Sequence, residues 1–159
     1  MIDYRKIPIW WAVCCKESCT RRDGCLRYQA FLQCPREVTV WPMVMPHAET
    51  GGECEYFKAY ERVQMARGLN HIYDDITDKH TKALIRSALT EYFGSKGSYY
   101  RHKDGERLMN PATQADIIGI IRSFSEGAKV DFDDTFYAYD FTTMSENEFN
   151  PDRQDAPQQ

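Results

Sequence analysis

The sequence predicts a helix-rich α+β fold with three main helices, one β-hairpin and a cysteine-rich extended segment at the N-terminus. Three observations carry this prediction. Apolar residues recur at helical spacing in the middle of the chain, an Asp-Gly turn divides residues 98–109, and all six cysteines fall within residues 1–56. Hydrophobic residues form 42% of the 159 residues, so the chain has enough apolar material to build a core.

The length predicts one domain over residues 1–144, followed by a flexible polar tail over 145–159. Within the domain, a cysteine-rich N-terminal part (1–56) precedes a helical part (57–144) that contains the hairpin. The tail has Phe149 as its only large apolar residue, so it cannot bury enough surface to offset its ordering entropy. The net charge of −4 excludes a globally basic nucleic-acid coat.

Two short elements are predicted in the N-terminal part. Asp23 suits the N-cap of a short helix that runs to about Gln33, and Pro35 prevents its continuation. Residues 38–45 are β-branched and aromatic, which predicts an edge strand or an extended segment broken at Pro42.

Two amphipathic helices are predicted next. Over residues 57–76, apolar residues recur at steps of three and four, as on one face of a long helix in which Gly68 is a weak point. Thr77 or Asp78 caps a second helix, which ends at Gly94. The apolar positions are Phe57, Tyr60, Val63, Ala66, Leu69, Ile72, Tyr73 and Ile76 in the first helix, and Leu84, Ile85, Ala88, Leu89, Tyr92 and Phe93 in the second.

A hairpin and a third helix complete the predicted domain. Asp104-Gly105 is a favoured tight-turn dipeptide, and two short segments flank it within residues 98–109. Asn110 and Pro111 supply the N-cap and the first position of the last helix. That helix is predicted to direct four apolar side chains inward, at Ile117, Ile118, Ile121 and Phe124.

Several short motifs are spread over most of residues 1–140. They are Ala12-Val-Cys14, Cys25-Leu-Arg27, Gly52-Glu-Cys54-Glu-Tyr-Phe57, Ala66-Arg-Gly68, Tyr92-Phe-Gly94, Tyr99-Tyr-Arg101, Gly105-Glu-Arg107 and Pro111-Ala-Thr-Gln114. Four residues separate Cys14 from Cys19, and five separate Cys19 from Cys25. In this layout the chain resembles a family of short uncharacterised bacterial proteins, a domain of unknown function. The resemblance implies no activity, but it singles out Cys14, Cys19, Cys25 and Cys54 and leaves Cys15 and Cys34 aside.

The spacing of the cysteines also predicts a metal site. Cys14, Cys19 and Cys25 lie within twelve residues, and the distant Cys54 completes a four-thiolate set of the kind that holds structural zinc. The chain has no Cys-x-x-Cys pair, so an iron–sulfur cluster and a metal-free, buried role for the thiols stay open as alternatives. Cys15 stays open as a ligand in place of Cys14. Cys25 falls in the first turn of the predicted short helix, whose dipole favours a thiolate.

A basic segment over residues 96–107 predicts a second type of site. Two helices followed by a basic hairpin follow the order of a winged-helix module, and tyrosines between cations suit stacking on single strands. The candidate nucleic-acid-binding residues are Lys96, Tyr99, Tyr100, Arg101, Lys103 and Arg107. A solvated hairpin with its tyrosines buried on one face is the competing interpretation, and the acidic net charge favours it.

The apolar run over residues 7–15 superficially resembles a signal peptide, but Pro8 and the bulky Trp10-Trp11 pair argue against that function. No stretch approaches the roughly 18 consecutive apolar residues of a membrane-spanning helix. We therefore expect a cytoplasmic protein with no membrane partner. In that compartment, clustered cysteines bind metal or react more often than they form disulfides.

The chain contains no glycine-rich phosphate loop and no hydrolase signature. The preferred function is a small binding or regulatory module, stabilised by the four-cysteine metal site, with an unidentified protein or nucleic acid as partner. The preferred function is thus not enzymatic. A redox protein with an iron–sulfur cluster or reactive thiols is the first alternative, and nucleic-acid binding through residues 96–107 is the second.

Overall fold

Helices and short antiparallel strand pairs make up the computed structural model of the chain, which describes residues 2–142. The fold class is α+β, as predicted, with four α-helices and two two-stranded sheets in the described residues. These residues divide into two compact units, 2–61 and 62–142. The predicted tail over 145–159 lies outside the described residues.

The N-terminal unit, 2–61, contains little regular structure. Its elements are the helix α1 (Leu26–Leu32) and the antiparallel strands β1 (Glu49–Thr50) and β2 (Glu53–Cys54). Isolated backbone bridges join the remaining chain, at Val13 with Met43 and at Cys25 with Ala59. Because these contacts join distant parts of the sequence, they hold the cysteine-bearing segments in place without long helices or strands.

Two predictions for the N-terminal unit are wrong in detail. Asp23 does not cap α1, because it lies inside a 3-10 turn, Arg22–Gly24, that leaves Cys25 at the N-cap position with no side-chain hydrogen bond. The helix does end at Gln33, which is its C-cap. Of the two forms predicted for residues 38–45, an edge strand or an extended segment, the strand does not form, because the pairing is confined to Met43 with Val13.

The second unit, 62–142, has three of the helices around one hydrophobic core. In chain order its elements are β3 (Arg62–Arg67), α2 (Lys79–Tyr92), α3 (Lys96–Lys103), α4 (Pro111–Phe124) and β4 (Asp134–Tyr139). The two strands are antiparallel, and their register runs from Arg62 opposite Tyr139 to Arg67 opposite Asp134. The fully buried core side chains include Leu69, Ile72, Ile85, Leu89, Tyr99, Met109, Ile117 and Ile121.

The caps of α2 and α4 are confirmed. The Asp78 carboxylate accepts a hydrogen bond from the backbone N–H of Thr81 at 2.7 Å, and the Asn110 side chain accepts one from Thr113 at 2.9 Å. Ile117 and Ile121 of α4 are buried as predicted, whereas Phe124 is 42% exposed because the helix ends there.

The predicted helix over residues 57–76 is wrong. Residues Arg62–Arg67 form the strand β3, and Gly68 then adopts a left-handed conformation, with φ of 77°, that no helix continues through. A Cβ atom at Gly68 would lie 2.1 Å from the Asp133 carboxylate, so only glycine fits this close approach. Leu69, Ile72 and Ile76 are nonetheless buried, because the loop that follows β3 packs into the core.

The predicted hairpin over 98–109 is also wrong, because most of this segment is the helix α3. Ser95 caps the helix by accepting a hydrogen bond from the N–H of Ser98 at 3.0 Å. Gly105, with φ of 78°, follows the helix end instead of forming a strand-to-strand turn. The acidic and aromatic segment after Gly127 contains β4. The sequence did not predict this strand.

Candidate metal centre

Four cysteines from separate parts of the N-terminal unit line one small cavity. Cys14, Cys19, Cys25 and Cys54 are all among its lining residues, and its volume is about 20 Å³. A space of this size holds one water molecule or one ion. The other walls combine apolar groups with cations: Tyr28, Val44, Met45, Pro46, Ala48, Tyr56 and Phe57, and Lys16, Arg21, Arg22 and Arg27.

The pairing of the chain at Val13 determines which of two adjacent thiols lines the cavity. The Val13 N–H donates to the Pro42 carbonyl at 3.0 Å, and the Val44 N–H donates to the Val13 carbonyl at 2.8 Å. Cys14 and Val44 both line the cavity. The Cys15 thiol instead lies 3.2 Å from the Met43 sulfur. Cys14, and not Cys15, is therefore the thiol that lines the cavity.

Cys19 and Cys25 each lie at the end of a tight backbone turn. The Cys19 N–H donates to the Lys16 carbonyl at 3.4 Å, and the Cys19 carbonyl accepts from the Arg22 N–H at 3.3 Å. Cys25 is buried at the start of α1, where its bridge with Ala59 fixes the backbone. These hydrogen bonds and the backbone bridge fix the positions of Cys19 and Cys25.

Cys54 is presented by the hairpin of β1 and β2. Gly51 and Gly52 connect the strands, with φ angles of 63° and 87°. Two successive positive φ angles are what a two-residue hairpin turn requires, and glycine adopts them without strain. The Phe57 N–H then donates to the Cys54 carbonyl at 3.1 Å, which turns the chain directly after the cysteine.

Arg27 is a buried cation in contact with three of the cysteine-bearing segments. Only 7% of its surface is exposed. Its Nε donates to the Tyr56 carbonyl at 2.7 Å, and its Nη1 donates to the Ala12 carbonyl. Its own carbonyl accepts from the Cys14 N–H at 3.2 Å. The guanidinium carbon also lies 4.4 Å from the centre of the Trp11 ring, within the range of a cation–π contact.

The ionisable groups with the largest electrostatic effect on Arg27 are thiols. Burial lowers the pKa of Arg27, and the groups that most strongly oppose this effect are Cys25, Cys54 and Cys14, followed by Tyr56. Within residues 2–142, no carboxylate forms an ion pair with Arg27. A guanidinium stays protonated in proteins, so this buried positive charge has cysteines as its nearest potential counter-ions.

The protonation of Cys14 follows from the same surroundings. Burial raises the pKa of the Cys14 thiol above its ordinary value, and the neighbouring thiols of Cys25, Cys15 and Cys54 add to the increase. A backbone hydrogen bond at Lys16 opposes it. Burial in the cavity therefore favours the neutral thiol at Cys14, and a metal ion that bound there would displace the proton.

The thiols share the cavity without being gathered as ligands. All six cysteines are free, and in the described part of the chain no three histidine, cysteine, aspartate or glutamate side chains form a group arranged to hold a metal ion. Cys34 is half-buried at the end of α1, where its thiol lies 3.6 Å from the Ala30 carbonyl, and it is not a cavity residue.

The candidate nucleic-acid-binding residues do not form one exposed basic surface. Tyr99 is 1% exposed, and its hydroxyl lies 3.0 Å from that of Tyr73 in the core. Lys103 donates to the Asn70 side chain at 2.7 Å, and Arg107 donates to the Ser98 hydroxyl at 3.3 Å. Lys96, Tyr100 and Arg101 are the exposed members of the set. Because Tyr99 is in the core and Lys103 and Arg107 make side-chain hydrogen bonds within the chain, no common exposed surface presents all six residues.

Comparison with known proteins gives one result. Residues 1–141 match a family described as a family of unknown function, DUF6078. The chain belongs to this family. The match shows that the DUF6078 domain spans both compact units, 2–61 and 62–142. No curated protein and no solved structure matches the chain. Among residues 2–142, no helix is both long enough and apolar enough to cross a membrane.

Proposed function

We propose that the N-terminal unit is a zinc-binding module in which Cys14, Cys19, Cys25 and Cys54 hold one structural metal ion. The observation that carries the proposal is their shared cavity, which has room for a single ion. Four thiolates are a ligand set that structural zinc sites use. The distant Cys54 would then be joined to the segment that contains the other three.

Binding requires the thiols to turn toward one point, since they do not form a metal-binding group among residues 2–142. Rotation about χ1 alone moves a cysteine sulfur between staggered positions while the backbone stays in place. The hydrogen bonds at Cys14, Cys19 and Cys54 can therefore persist when the metal binds.

A metal would also supply stability to a unit that has little regular secondary structure. Residues 2–61 contain one seven-residue helix and two-residue strands. Binding of zinc to a folded thiolate site contributes directly to the free energy of folding, because the unfolded chain has no preformed site.

The size of the cavity is compatible with zinc. A space of about 20 Å³ holds one ion, and a structural zinc site with four thiolates needs no more than that. A reactive-thiol redox protein has less support, because burial raises the pKa of the Cys14 thiol and so disfavours its nucleophilic thiolate form.

We further propose a binding or regulatory role in the reducing cytoplasm of a bacterium, and not an enzymatic one. Six free thiols support a reducing compartment, and the resemblance to short bacterial proteins supports the source. A protein partner is favoured over a nucleic acid, because the six candidate residues over 96–107 are not presented together.

Metal analysis of the full chain, purified without air, tests the proposal. We expect a colourless protein that contains one zinc ion per chain and that binds Co²⁺ with an intense sulfur-to-metal absorption band. A brown protein with iron and sulfide would replace zinc by the iron–sulfur alternative. A chain that binds neither zinc nor Co²⁺ while all six thiols are reduced would overturn the proposal.

Variants locate the site within the chain. Cys54→Ser and Cys19→Ser should each abolish stoichiometric zinc, whereas Cys34→Ser and Cys15→Ser should retain it, because these two thiols do not line the cavity. Cys25 needs Ala as well as Ser, because serine at the N-cap of α1 would add a favourable cap and mask part of the loss. Equal zinc content in Cys34→Ser and Cys54→Ser would contradict the assignment.

A further inference from the structure

We infer that Arg27 is the positioning residue of the thiolate site, where it balances the charge of the bound thiolates and fastens together the segments that carry them. This inference rests on the proposed zinc site and extends it from the ligands to the residue behind them. In the sequence, Arg27 stands out only as the last residue of the Cys25-Leu-Arg27 motif, because its burial depends on contacts with distant parts of the chain.

The hydrogen bonds of Arg27 join three stretches of the N-terminal unit. Its side chain donates to the carbonyls of Ala12, two residues before Cys14, and of Tyr56, two residues after Cys54. Its backbone lies two residues after Cys25 and accepts from the Cys14 N–H. One residue therefore contacts the backbone on either side of the cavity, so any movement of Arg27 would displace several ligands together.

Arg27 also matches the charge that a loaded site would carry. Four thiolates and one Zn²⁺ leave two net negative charges, and Arg27 neutralises one of them from a buried position. The two carbonyl acceptors satisfy guanidinium N–H groups but carry no net charge, so they cannot replace a counter-ion. Lys16 and Arg21 line the same cavity and can offset the remaining charge.

Arginine suits this position better than lysine does. The planar guanidinium donates in two directions to fixed carbonyls while its face lies against the Trp11 ring, 4.4 Å from the ring centre. A lysine would return the positive charge, but its single ammonium group cannot reproduce the same planar fork. The two contributions, charge and clamp, can therefore be separated by substitution.

Two substitutions at Arg27 and one control test the inference. Arg27→Met removes the charge and keeps much of the length, Arg27→Lys keeps the charge, and Arg36→Gln removes an exposed arginine of the same unit that does not line the cavity. Zinc affinity is measured at constant pH and salt by competition with a chromophoric chelator. We expect Arg27→Met to bind zinc about 10- to 100-fold more weakly, as for other residues that support metal ligands. We expect Arg27→Lys to recover part of this loss and Arg36→Gln to bind as the wild type does.

The Co²⁺ spectrum separates charge from simple loosening of the fold. Removing a positive charge beside the thiolates raises the energy of the sulfur lone pairs, so the sulfur-to-cobalt band of Arg27→Met should shift to longer wavelength. The band of Arg27→Lys should stay at the wild-type position. Equal losses of affinity and equal spectra in Arg27→Met and Arg27→Lys would overturn the charge role.

Failure of the inference can be distinguished from failure of the zinc site. If the wild type binds zinc and Arg27→Met binds it equally well, the role of Arg27 is wrong and the zinc site stands. If the wild type binds no metal, both are wrong. If Arg27→Met is unfolded without metal, as judged by circular dichroism, Arg27→Lys decides: affinity within tenfold of the wild type supports the inference, and a loss as large as that of Cys54→Ser overturns it.

Discussion

Residues 62–142 bury a continuous set of aliphatic and aromatic side chains, whereas residues 2–61 place thiols and a buried guanidinium around one small cavity. Helices of the second unit begin at side-chain caps, with Asp78, Ser95 and Asn110 in the N-cap position. The helix of the first unit begins at Cys25, which makes no capping bond. The second unit thus has the usual sources of stability, and the first unit combines a smaller set of buried apolar side chains, among them Trp11, Val13 and Leu26, with a cavity lined by thiols.

Because of this difference, the two units should respond to different perturbations. Burial of apolar surface stabilises a unit whatever the metal concentration is. A thiolate site stabilises its unit only when the metal is bound and its ligands are deprotonated.

Metal removal should affect the N-terminal unit alone. Structural zinc bound by thiolates contributes on the order of 10 kcal/mol of apparent binding free energy at neutral pH, so its loss should exceed the effect of any single core substitution. We expect a strong chelator to abolish hydrogen-exchange protection across residues 12–60 and to leave α2 and α4 protected. Mass spectrometry of the exchanged peptides measures both regions in one experiment. Equal loss of protection in the two units would contradict the comparison.

A core truncation should give the opposite pattern. Leu89 is fully buried in the second unit, and Leu89→Ala should lower the free energy of unfolding of that unit by about 2 to 5 kcal/mol, through lost burial and a residual cavity. Leu84 on the same helix is 40% exposed, so Leu84→Ala is the matched control with a much smaller effect. Denaturant titration gives both values. Zinc content should be unchanged in both variants. A loss of zinc in Leu89→Ala would show that the zinc site of the first unit depends on the core of the second.

Gly68→Ala tests a backbone position of the second unit. The added Cβ would meet the Asp133 carboxylate, which is held in place by hydrogen bonds from Asn70 at 2.8 and 2.6 Å. Strain at a positive φ and the clash together should cost roughly 2 to 4 kcal/mol. Gly94→Ala is the control, because Gly94 has nearly the same φ, 78°, with no atom within 4 Å of an added Cβ. The melting temperature of Gly68→Ala should be lower than that of Gly94→Ala, and the reverse order would rule out the clash.

Gly68 also shows why the sequence predicted the core better than the elements. Leu69, Ile72 and Ile76 repeat at helical spacing, and burial of all three is confirmed although no helix contains them. The periodicity indicates which residues are apolar and therefore buried. The backbone path is determined by Gly68, whose left-handed conformation lies against Asp133, a residue far away in the sequence. Local patterns contain no information about that contact.

The same limit explains the outcome at residues 96–107 and at the cavity. Asp104-Gly105 is equally compatible with a hairpin turn and a helix end, and the Ser95 cap decided for the helix. At the cavity, the spacing and the family resemblance selected the four cysteines that line it. The burial of Arg27 could not be predicted, because it depends on carbonyls of Ala12 and Tyr56, far apart in the sequence.

The smallest effect should come from an exposed charge pair of the second unit, which contrasts with the buried charge of the first. His71 Nδ1 lies 2.9 Å from the Asp74 carboxylate, and this hydrogen bond raises the pKa of His71 above its ordinary value of 6.5. Because the folded-state pKa is the higher one, protonation of His71 stabilises the fold below about pH 6.5, and this contribution disappears as the pH rises through the raised pKa. Both side chains are more than half exposed, so the stabilisation should be small.

Asp74→Asn isolates this pair. At pH 6, where Asp74 is ionised and His71 protonated, the variant should melt slightly below the wild type, and at pH 8.5 the two melting temperatures should coincide. Titration of His71 by NMR should show its pKa return toward 6.5 in the variant, because the hydrogen bond to a carboxylate is the main cause of the shift. Zinc content should not change at either pH. A melting difference that stays constant between pH 6 and 8.5 would show that Asp74 acts through the hydrogen-bonded backbone turn that it forms with His71, and not through the charge of the imidazole.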